Sequence, residues 1–398
     1  MSQSRPSPYL IVFSLWLLVF SASSQIMIIS PILPQIGEEL DIAEALLGTL
    51  VTAYSLMVGL FAVLSGPVSD RIGRRRILLM GTGIMTVALV CHVLVVGYAS
   101  FLAVRIFAGI AGGILSGAAV SYIGDYFPYS KRGWAVGWVM SGSAFGQIIG
   151  IPLGVVIAGQ FGFQAPFYLF AVTMALTFLL LWVRLPQPPI RPREGPLTVK
   201  GAARDYWAML KQRQIAAAAV AFFLMYVGIS LYVVYLPTWL ESQIGFTPNQ
   251  IAPMFLVGGL ANVLAGPQAG KLSDRIGRKL IILLSCLGLF LVMLGTTLLI
   301  RSIWVAYPVF FLTMVLVAMR ISPFSALLTA LVPDHARGSL MSLTVALGQV
   351  GFGLGGALAG PFYSEMGYAS NTVIGALSVL GMGIMVWFLV PEPRASRE

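Results

Sequence analysis

Two arginines sit where charge is costly. Arg105, in Val104-Arg105-Ile106-Phe107-Ala108-Gly109, and Arg320, in Ala318-Met319-Arg320-Ile321-Ser322-Pro323, each interrupt a long apolar run. At the centre of a membrane-crossing helix an Arg costs about 2.5–3.5 kcal/mol, so it faces a cavity or a partner unless it snorkels to the surface. Arg105 lies roughly a third of the way into its run, where snorkelling is open to it. Arg320 is nearer mid-run, and Pro323 frees a backbone carbonyl beside it. No Asp or Glu lies mid-run, so a cavity holding both arginines is expected to be positive and to favour an anionic or polar-neutral solute. His92 is the one histidine inside a run, and a packing role is expected for it.

The second candidate constellation is a charged turn that occurs twice. Gly66-Pro67-Val68-Ser69-Asp70-Arg71-Ile72-Gly73-Arg74-Arg75 returns 204 positions later as Gly270-Lys271-Leu272-Ser273-Asp274-Arg275-Ile276-Gly277-Arg278-Lys279. Each copy is wedged between two apolar runs. Entering a bilayer requires apolar bulk and never a particular Asp, Gly or Arg, so the repeated residue types point to a duplicated unit that needs this turn. Gly66 is expected to end a helix and Gly73 to make the turn. Asp70 and Arg74 are four apart and can share a face or brace the turn, as can Asp274 and Arg278.

The elements that must position these groups follow from composition. Of 398 residues, 58% are hydrophobic and 10% charged, whereas a soluble domain carries about 25% charged residues. Twelve apolar runs of spanning length fall near 9–30, 45–67, 77–97, 99–122, 134–159, 165–185, 215–240, 250–270, 280–300, 304–330, 338–361 and 370–390. The fold class expected is all-α integral membrane. The net charge of +10 does not indicate nucleic acid, because of 24 Lys and Arg only Arg105, Arg320 and Arg301 lie outside the termini and the alternate loops of one side. The opposite loops hold Glu38, Glu39, Asp41, Glu44, Glu241 and Glu365. This asymmetry places both termini in the cytoplasm. Cys91 and Cys286 both sit in apolar runs and form no disulfide framework. The first run, although Arg5 and Ser21-Ala22-Ser23 give it some likeness to a signal peptide, is read as a retained first span.

The halves correspond beyond the turn. Leu33-Pro34 matches Leu236-Pro237, Pro128 with Arg132-Gly133 matches Pro333 with Arg337-Gly338, and Gly146-Gln147 matches Gly348-Gln349, at offsets of 202 to 205. Six spans separate the copies, so the repeat is parallel, about an axis along the membrane normal, and the seam between halves is the expected place for a substrate. The organisation is therefore an N-terminal six-helix bundle, 1–185, a cytoplasmic linker, 186–214, and a C-terminal six-helix bundle, 215–398. The linker is rich in Pro and Arg, and its end, from Thr198 to Arg213, suits a helix on an anionic membrane surface or a solvated connection. Glycines at every fourth position from Gly142 through Gly146, Gly150 and Gly154, and the cluster containing Gly355 and Gly356, allow close helix approach, with Pro152 and Pro361 as bending points.

On these residues the chain resembles the major facilitator superfamily, whose G-x-x-x-D-R-x-G-R-[RK] loop both turns match, between spans 2 and 3 and spans 8 and 9. The resemblance covers nearly the whole chain and implies a secondary transporter working by alternating access. It further implies that Gly66, Asp70, Arg71, Gly73, Arg74 and Asp125 gate one state, with Asp70, Arg74 and Asp125 as a latch. By the repeat, Gly270, Asp274, Arg275, Gly277 and Arg278 would act likewise but more weakly, since no acid in span 10 aligns with Asp125. Arg105 is similar to the span-4 arginine that drug–proton antiporters of the superfamily associate with proton transfer. Span 5 resembles their glycine- and proline-rich motif, although Gly150-Ile151-Pro152 interrupts the usual Gly-Pro. The missing intramembrane acid departs from cation-exporting relatives.

The function expected is proton-coupled efflux of a small amphipathic compound or metabolite. The alternative is an organic-anion exchanger or facilitator using Arg105 and Arg320. Gln25, Tyr54, Tyr232 and Asn262 are further candidates for substrate or coupling contacts. An intramembrane enzyme would need clustered His, Asp, Glu or Ser, which the spans lack, and a sensor would append a soluble domain. The chain is thus read as a non-enzyme without cofactor or metal, a monomer in the cell inner membrane. Its partners are a small-molecule substrate, protons and the lipid bilayer, with no nucleic acid.

Overall fold

Apolar runs become helices here because a bilayer offers no water to backbone N–H and C=O groups, which a helix satisfies internally. The computed structural model describes residues 7–188, 199–332 and 337–392, and within helices it leaves the side chains of residues 66, 67, 70, 129, 199–203, 205, 337 and 338 undescribed. Among the described residues, twelve helical stretches are long and apolar enough to cross a membrane. The chain divides into two compact units, residues 1–42 with 53–196, and residues 43–52 with 197–398.

The first unit holds α1 (Pro8–Met27), α2 (Ile29–Glu39), most of α3 (Glu44–Ile72), α4 (Arg74–Val90), α5 (Tyr98–Leu115), α6 (Ala118–Tyr126), α7 (Tyr129–Phe145), α8 (Ile151–Phe161) and α9 (Ala165–Arg184). The span-5 glycines face α1. A Cβ on Gly142 would stand 2.6 Å from the Trp16 carbonyl oxygen and one on Gly146 3.0 Å from Ser24 Oγ, while one on Gly150 would collide with the same Ser24. Between α7 and α8 the chain makes a π turn, Gly146–Gly150. Pro152 follows it and has no N–H to give the carbonyl of residue 148, which accounts for the irregularity.

The second unit holds α10 (Val199–Leu210), α11 (Arg213–Val233), α12 (Leu236–Trp239), α13 (Pro248–Ile276), α14 (Arg278–Leu299), α15 (Ile303–Ala330), α16 (Arg337–Met366) and α17 (Tyr368–Leu389). The α11–α16 pair repeats the α1–α7 pair of the first unit. A Cβ on Gly351 would lie 2.5 Å from the Phe223 carbonyl oxygen, and one on Gly355 2.7 Å from Ser230 Cβ. The first turns of α3 pack in this unit, where Thr52 Oγ1 donates to the Gly353 carbonyl at 2.6 Å and Gly48 N–H donates to the Tyr235 hydroxyl at 2.9 Å. The start of α13 is fixed by Thr247 N–H donating to Gln250 Oε1 at 2.9 Å, one arm of a capping box.

The expectation that Gly66 terminates a helix is corrected, and the repeat at Gly270 behaves in the same way. α3 runs on to Ile72 and α13 to Ile276, so each charged turn begins as helix and breaks only at the second glycine. The reason is conformational. Gly73 and Gly277 have φ of +97° and +106°, a region that side chains disfavour, and each glycine N–H still closes the preceding helix at 3.0 Å, on Ser69 and Ser273. A Cβ on Gly270 would instead stand 2.9 Å from Ser322 Oγ, so that glycine serves close packing against α15.

Candidate substrate and gating sites

The first unit gathers three of the predicted substrate or coupling residues into one buried cluster. Gln25 near the end of α1, Tyr54 in α3 and Arg105 in α5 are almost completely buried. Gln25 Nε2 donates to the Tyr54 hydroxyl at 2.9 Å, and Arg105 Nη1 donates to Gln25 Oε1 at 3.5 Å. The guanidinium carbon of Arg105 stands 4.3 Å from the centroid of the Tyr54 ring. A desolvated guanidinium over an aromatic face gains about 2 kcal/mol, which offsets part of its burial cost. Gly109 and Gly112 let α5 approach α3 closely enough for this, since a Cβ on either would stand 2.5 Å from a Tyr54 atom. Snorkelling, one reading of Arg105, does not occur: the side chain points into the unit.

His92 lies in a short 3-10 turn at the end of α4, stacked on Phe167 at 3.8 Å, with Nδ1 3.0 Å from the Ala88 carbonyl oxygen. It packs as expected.

Arg320, in α15 of the second unit, is 0% exposed, and none of its guanidinium nitrogens has a hydrogen-bond partner among the described residues. Among the described residues the Cys286 thiol is the one group near enough to act as a weak hydrogen-bonding neighbour, outside normal hydrogen-bond geometry, and the Tyr226 hydroxyl acts on the charge through space. A thiol is a weak acceptor and leaves the N–H donors essentially unmet. Tyr232 is placed elsewhere. Its hydroxyl stands 3.2 Å from Thr296 Oγ1 and 3.5 Å from Thr313 Oγ1, and its carbonyl accepts from the Tyr368 hydroxyl at 2.5 Å. Asn262 is half-buried in α13. A pocket of 520 Å³ in the second unit, lined in part by Trp239, Arg301, Tyr363 and Tyr368, includes none of the predicted substrate residues.

At the first charged turn Arg74 Nε lies 2.7 Å from Asp125 Oδ2, and its Nη1 donates to Ser69 Oγ at 2.8 Å. Asp125 comes from the end of α6, so one arginine ties the turn to the far end of span 4. Arg75 Nη2 donates to the Trp182 carbonyl at 2.6 Å. The Asp70 side chain lies outside the described residues. At the second turn Arg278 Nη2 meets Asp274 Oδ1 at 3.3 Å.

Sequence reasoning missed the acid that serves this second turn. Glu392, just beyond α17, accepts the Arg278 N–H at 2.5 Å and the Lys279 N–H at 3.4 Å, capping the start of α14. The corresponding residue in the first unit is Gln187, whose side-chain amide occupies the space beside Gly73 at 2.6 Å from where a Cβ would stand. A signal was present: Leu185-Pro186-Gln187 and Val390-Pro391-Glu392 share the offset of 205 that relates the halves.

A family model described as Major Facilitator Superfamily matches residues 15–355 and again residues 218–398. The chain belongs to the major facilitator superfamily. As a member it is a multi-pass membrane transporter and not an enzyme. The superfamily relatives include a multidrug resistance protein, MdtG of Serratia proteamaculans, 25% identical over 99% of this chain and 98% of that protein. A hexuronate transporter of Bacillus subtilis is 22% identical over 90% of this chain and 89% of its own length. Among solved structures, a D-xylose–proton symporter superposes with a TM-score of 0.80 at 20% identity, covering 96% of this chain and 98% of that one. This last likeness bears on the fold alone, which is that of major facilitator transporters.

Proposed function

We propose that this transporter exports a small amphipathic compound or metabolite across the cell inner membrane in exchange for protons, by alternating access. The observation that carries the reading is the buried Gln25–Tyr54–Arg105 cluster, a fixed positive charge held by neutral partners in a unit without a mid-span acid. A charge so placed raises the cost of a nearby proton and lowers that of an anion, so the binding of a solute and of a proton are coupled through it. The near full-length match to a multidrug resistance protein supports export as the direction. The Arg74–Asp125 pair, with Ser69, is the latch of one state, and Asp274, Arg278 and Glu392 serve the second unit. Everted membrane vesicles energised to an acid interior test the coupling. A transported compound should discharge the pH gradient, and Arg105→Ala should abolish the discharge.

A second reading, exchange of organic anions, is favoured by one observation, the buried guanidinium of Arg320, which has no oxygen acceptor among the described residues. The hexuronate-transporting relative handles a solute of that class. Uptake into proteoliposomes that ignores an imposed pH gradient but requires an anion on the far side would replace the first reading by the second.

A further inference from the structure

A fully buried guanidinium without acceptors is a costly arrangement, because burial removes its water without replacing the hydrogen bonds. Arg320 is in this position ten residues from Ala330, about 15 Å along the axis of α15, too deep to reach the helix end. The described acids of its unit, Glu44, Glu241, Asp274, Glu365 and Glu392, stand at or near helix ends. The site therefore has a positive charge with hydrogen-bond donors to spare and, among the described residues, no anion of its own.

The surroundings narrow what the anion is. Phe324, one turn along α15 and on the same face, stacks on Phe222 of α11 at 5.8 Å, and Phe222 lies 5.2 Å from Tyr226. Tyr226 in turn acts on Arg320. An aromatic stack thus stands one turn along α15 from Arg320, and the Tyr226 hydroxyl at its edge is near enough to act on the guanidinium charge. Among the described residues, the other Lys and Arg of the unit, such as Arg213, Lys271, Arg278 and Arg301, lie at or near helix ends, apart from the exposed Arg204 of α10. A single planar fork without a second cation matches a carboxylate, with one negative charge and two coplanar oxygens, better than a phosphate approaching two charges. Pro323 has no N–H for the Met319 carbonyl, so α15 is weakened one turn from Arg320 and can open there to admit a ligand.

We propose that Arg320 binds the carboxylate of a monoanionic solute whose apolar body lies against Phe222, Tyr226 and Phe324. The proposal deepens the transporter reading by giving the amphipathic compound its charged group. It rests on that reading for the solute's being cargo but not for its binding.

The test uses the purified full-length protein and two probes of one shape, benzoate and its neutral amide, benzamide. Benzoate should raise the unfolding temperature in a saturable way and slow amide exchange in residues 318–326, whereas benzamide should do neither. Arg320→Gln should raise the unfolding temperature of the ligand-free protein, because it removes an uncompensated charge, and weaken benzoate roughly 10-fold to 100-fold. Arg320→Lys should retain part of the affinity. Equal effects of benzoate and benzamide on the wild-type protein would overturn the proposal without any variant. So would a ligand-free Arg320→Gln that unfolds at a lower temperature and binds benzoate as the wild type does, since Arg320 would then be a packing residue. Benzoate binding at Arg320 without benzoate flux in proteoliposomes would keep the site and remove the transport reading.

Discussion

At the scale of single residues, geometry separates groups that hold structure from groups that wait for something. Arg74 and Asp125 are 19% and 45% exposed, and an ion pair in contact with water contributes about 0–1 kcal/mol to stability. A latch has a different signature. Asp125→Asn is expected to leave the unfolding temperature within a few degrees of wild type while slowing turnover, measured as initial flux in proteoliposomes. If flux is unchanged, the pair only fixes topology. Tyr54→Phe keeps the ring under Arg105 and loses the hydroxyl that Gln25 uses, a loss of about 1 kcal/mol. Tyr54→Ala removes both and is expected to cost at least twice as much, read by thermal unfolding. Much of this was legible in the residue types: Gln25, Tyr54 and Arg105 were each singled out from the sequence, and they meet. What spacing could not show is which of them is satisfied. Arg105 and Arg320 look alike as letters in apolar runs, yet one lies over a tyrosine ring and the other has no hydrogen-bond partner among the described residues. Tyr226 acts on Arg320 whereas Tyr232 meets Thr296 and Thr313, a division that position along one helix does not show because it depends on lateral contacts between helices.

At the scale of elements, the apolar runs foretold the spans to within a few residues, since hydropathy and length decide them directly. The departures fall where a local device overrides the run. The π turn at Gly146–Gly150 depends on Pro152, and the continuation of α3 and α13 through their charged turns depends on a helix tolerating Asp and Arg once it has left the apolar core. The positive φ at Gly73 and Gly277 gives a paired prediction. An alanine at either position costs about 1–3 kcal/mol, because positive φ with extended ψ is a region that side chains disfavour. At Gly73 the new methyl also meets the Gln187 side chain at 2.6 Å, whereas at Gly277 the nearest atom, Glu392 Oε2, is 3.7 Å away. Gly73→Ala is therefore expected to destabilise more than Gly277→Ala, and Gln187→Ala should rescue the first variant only. Thermal unfolding of the three single variants and the double variant checks this. The absence of any rescue would mean that backbone strain alone governs both turns.

At the scale of the whole molecule, the duplication is the property that makes one half informative about the other. The shared offsets predict that devices come in pairs, and Gln187 with Glu392 is such a pair. The pair is asymmetric in a physically meaningful way. A carboxylate at the first N–H groups of α14 interacts favourably with the helix dipole, typically by about 0.3–1 kcal/mol, and a neutral amide does so less. The first unit has Asp125 on Arg74 in addition, and the second has Glu392 in its stead. Both turns are expected to face one side of the membrane, because six spans separate the copies and 21 of the 24 Lys and Arg, all but Arg105, Arg301 and Arg320, fall in the termini and the alternate loops of that side. The expected topology has that side cytoplasmic. Single cysteines introduced at Arg75 and at Lys279 in a background lacking Cys91 and Cys286 should both resist an impermeant maleimide in intact cells and both react in everted vesicles. A cysteine at Glu38 or Glu241 should do the reverse. If the two turns label from opposite sides, an odd number of spans separates them, the parallel repeat is lost, and the pairing of Gln187 with Glu392 becomes coincidence.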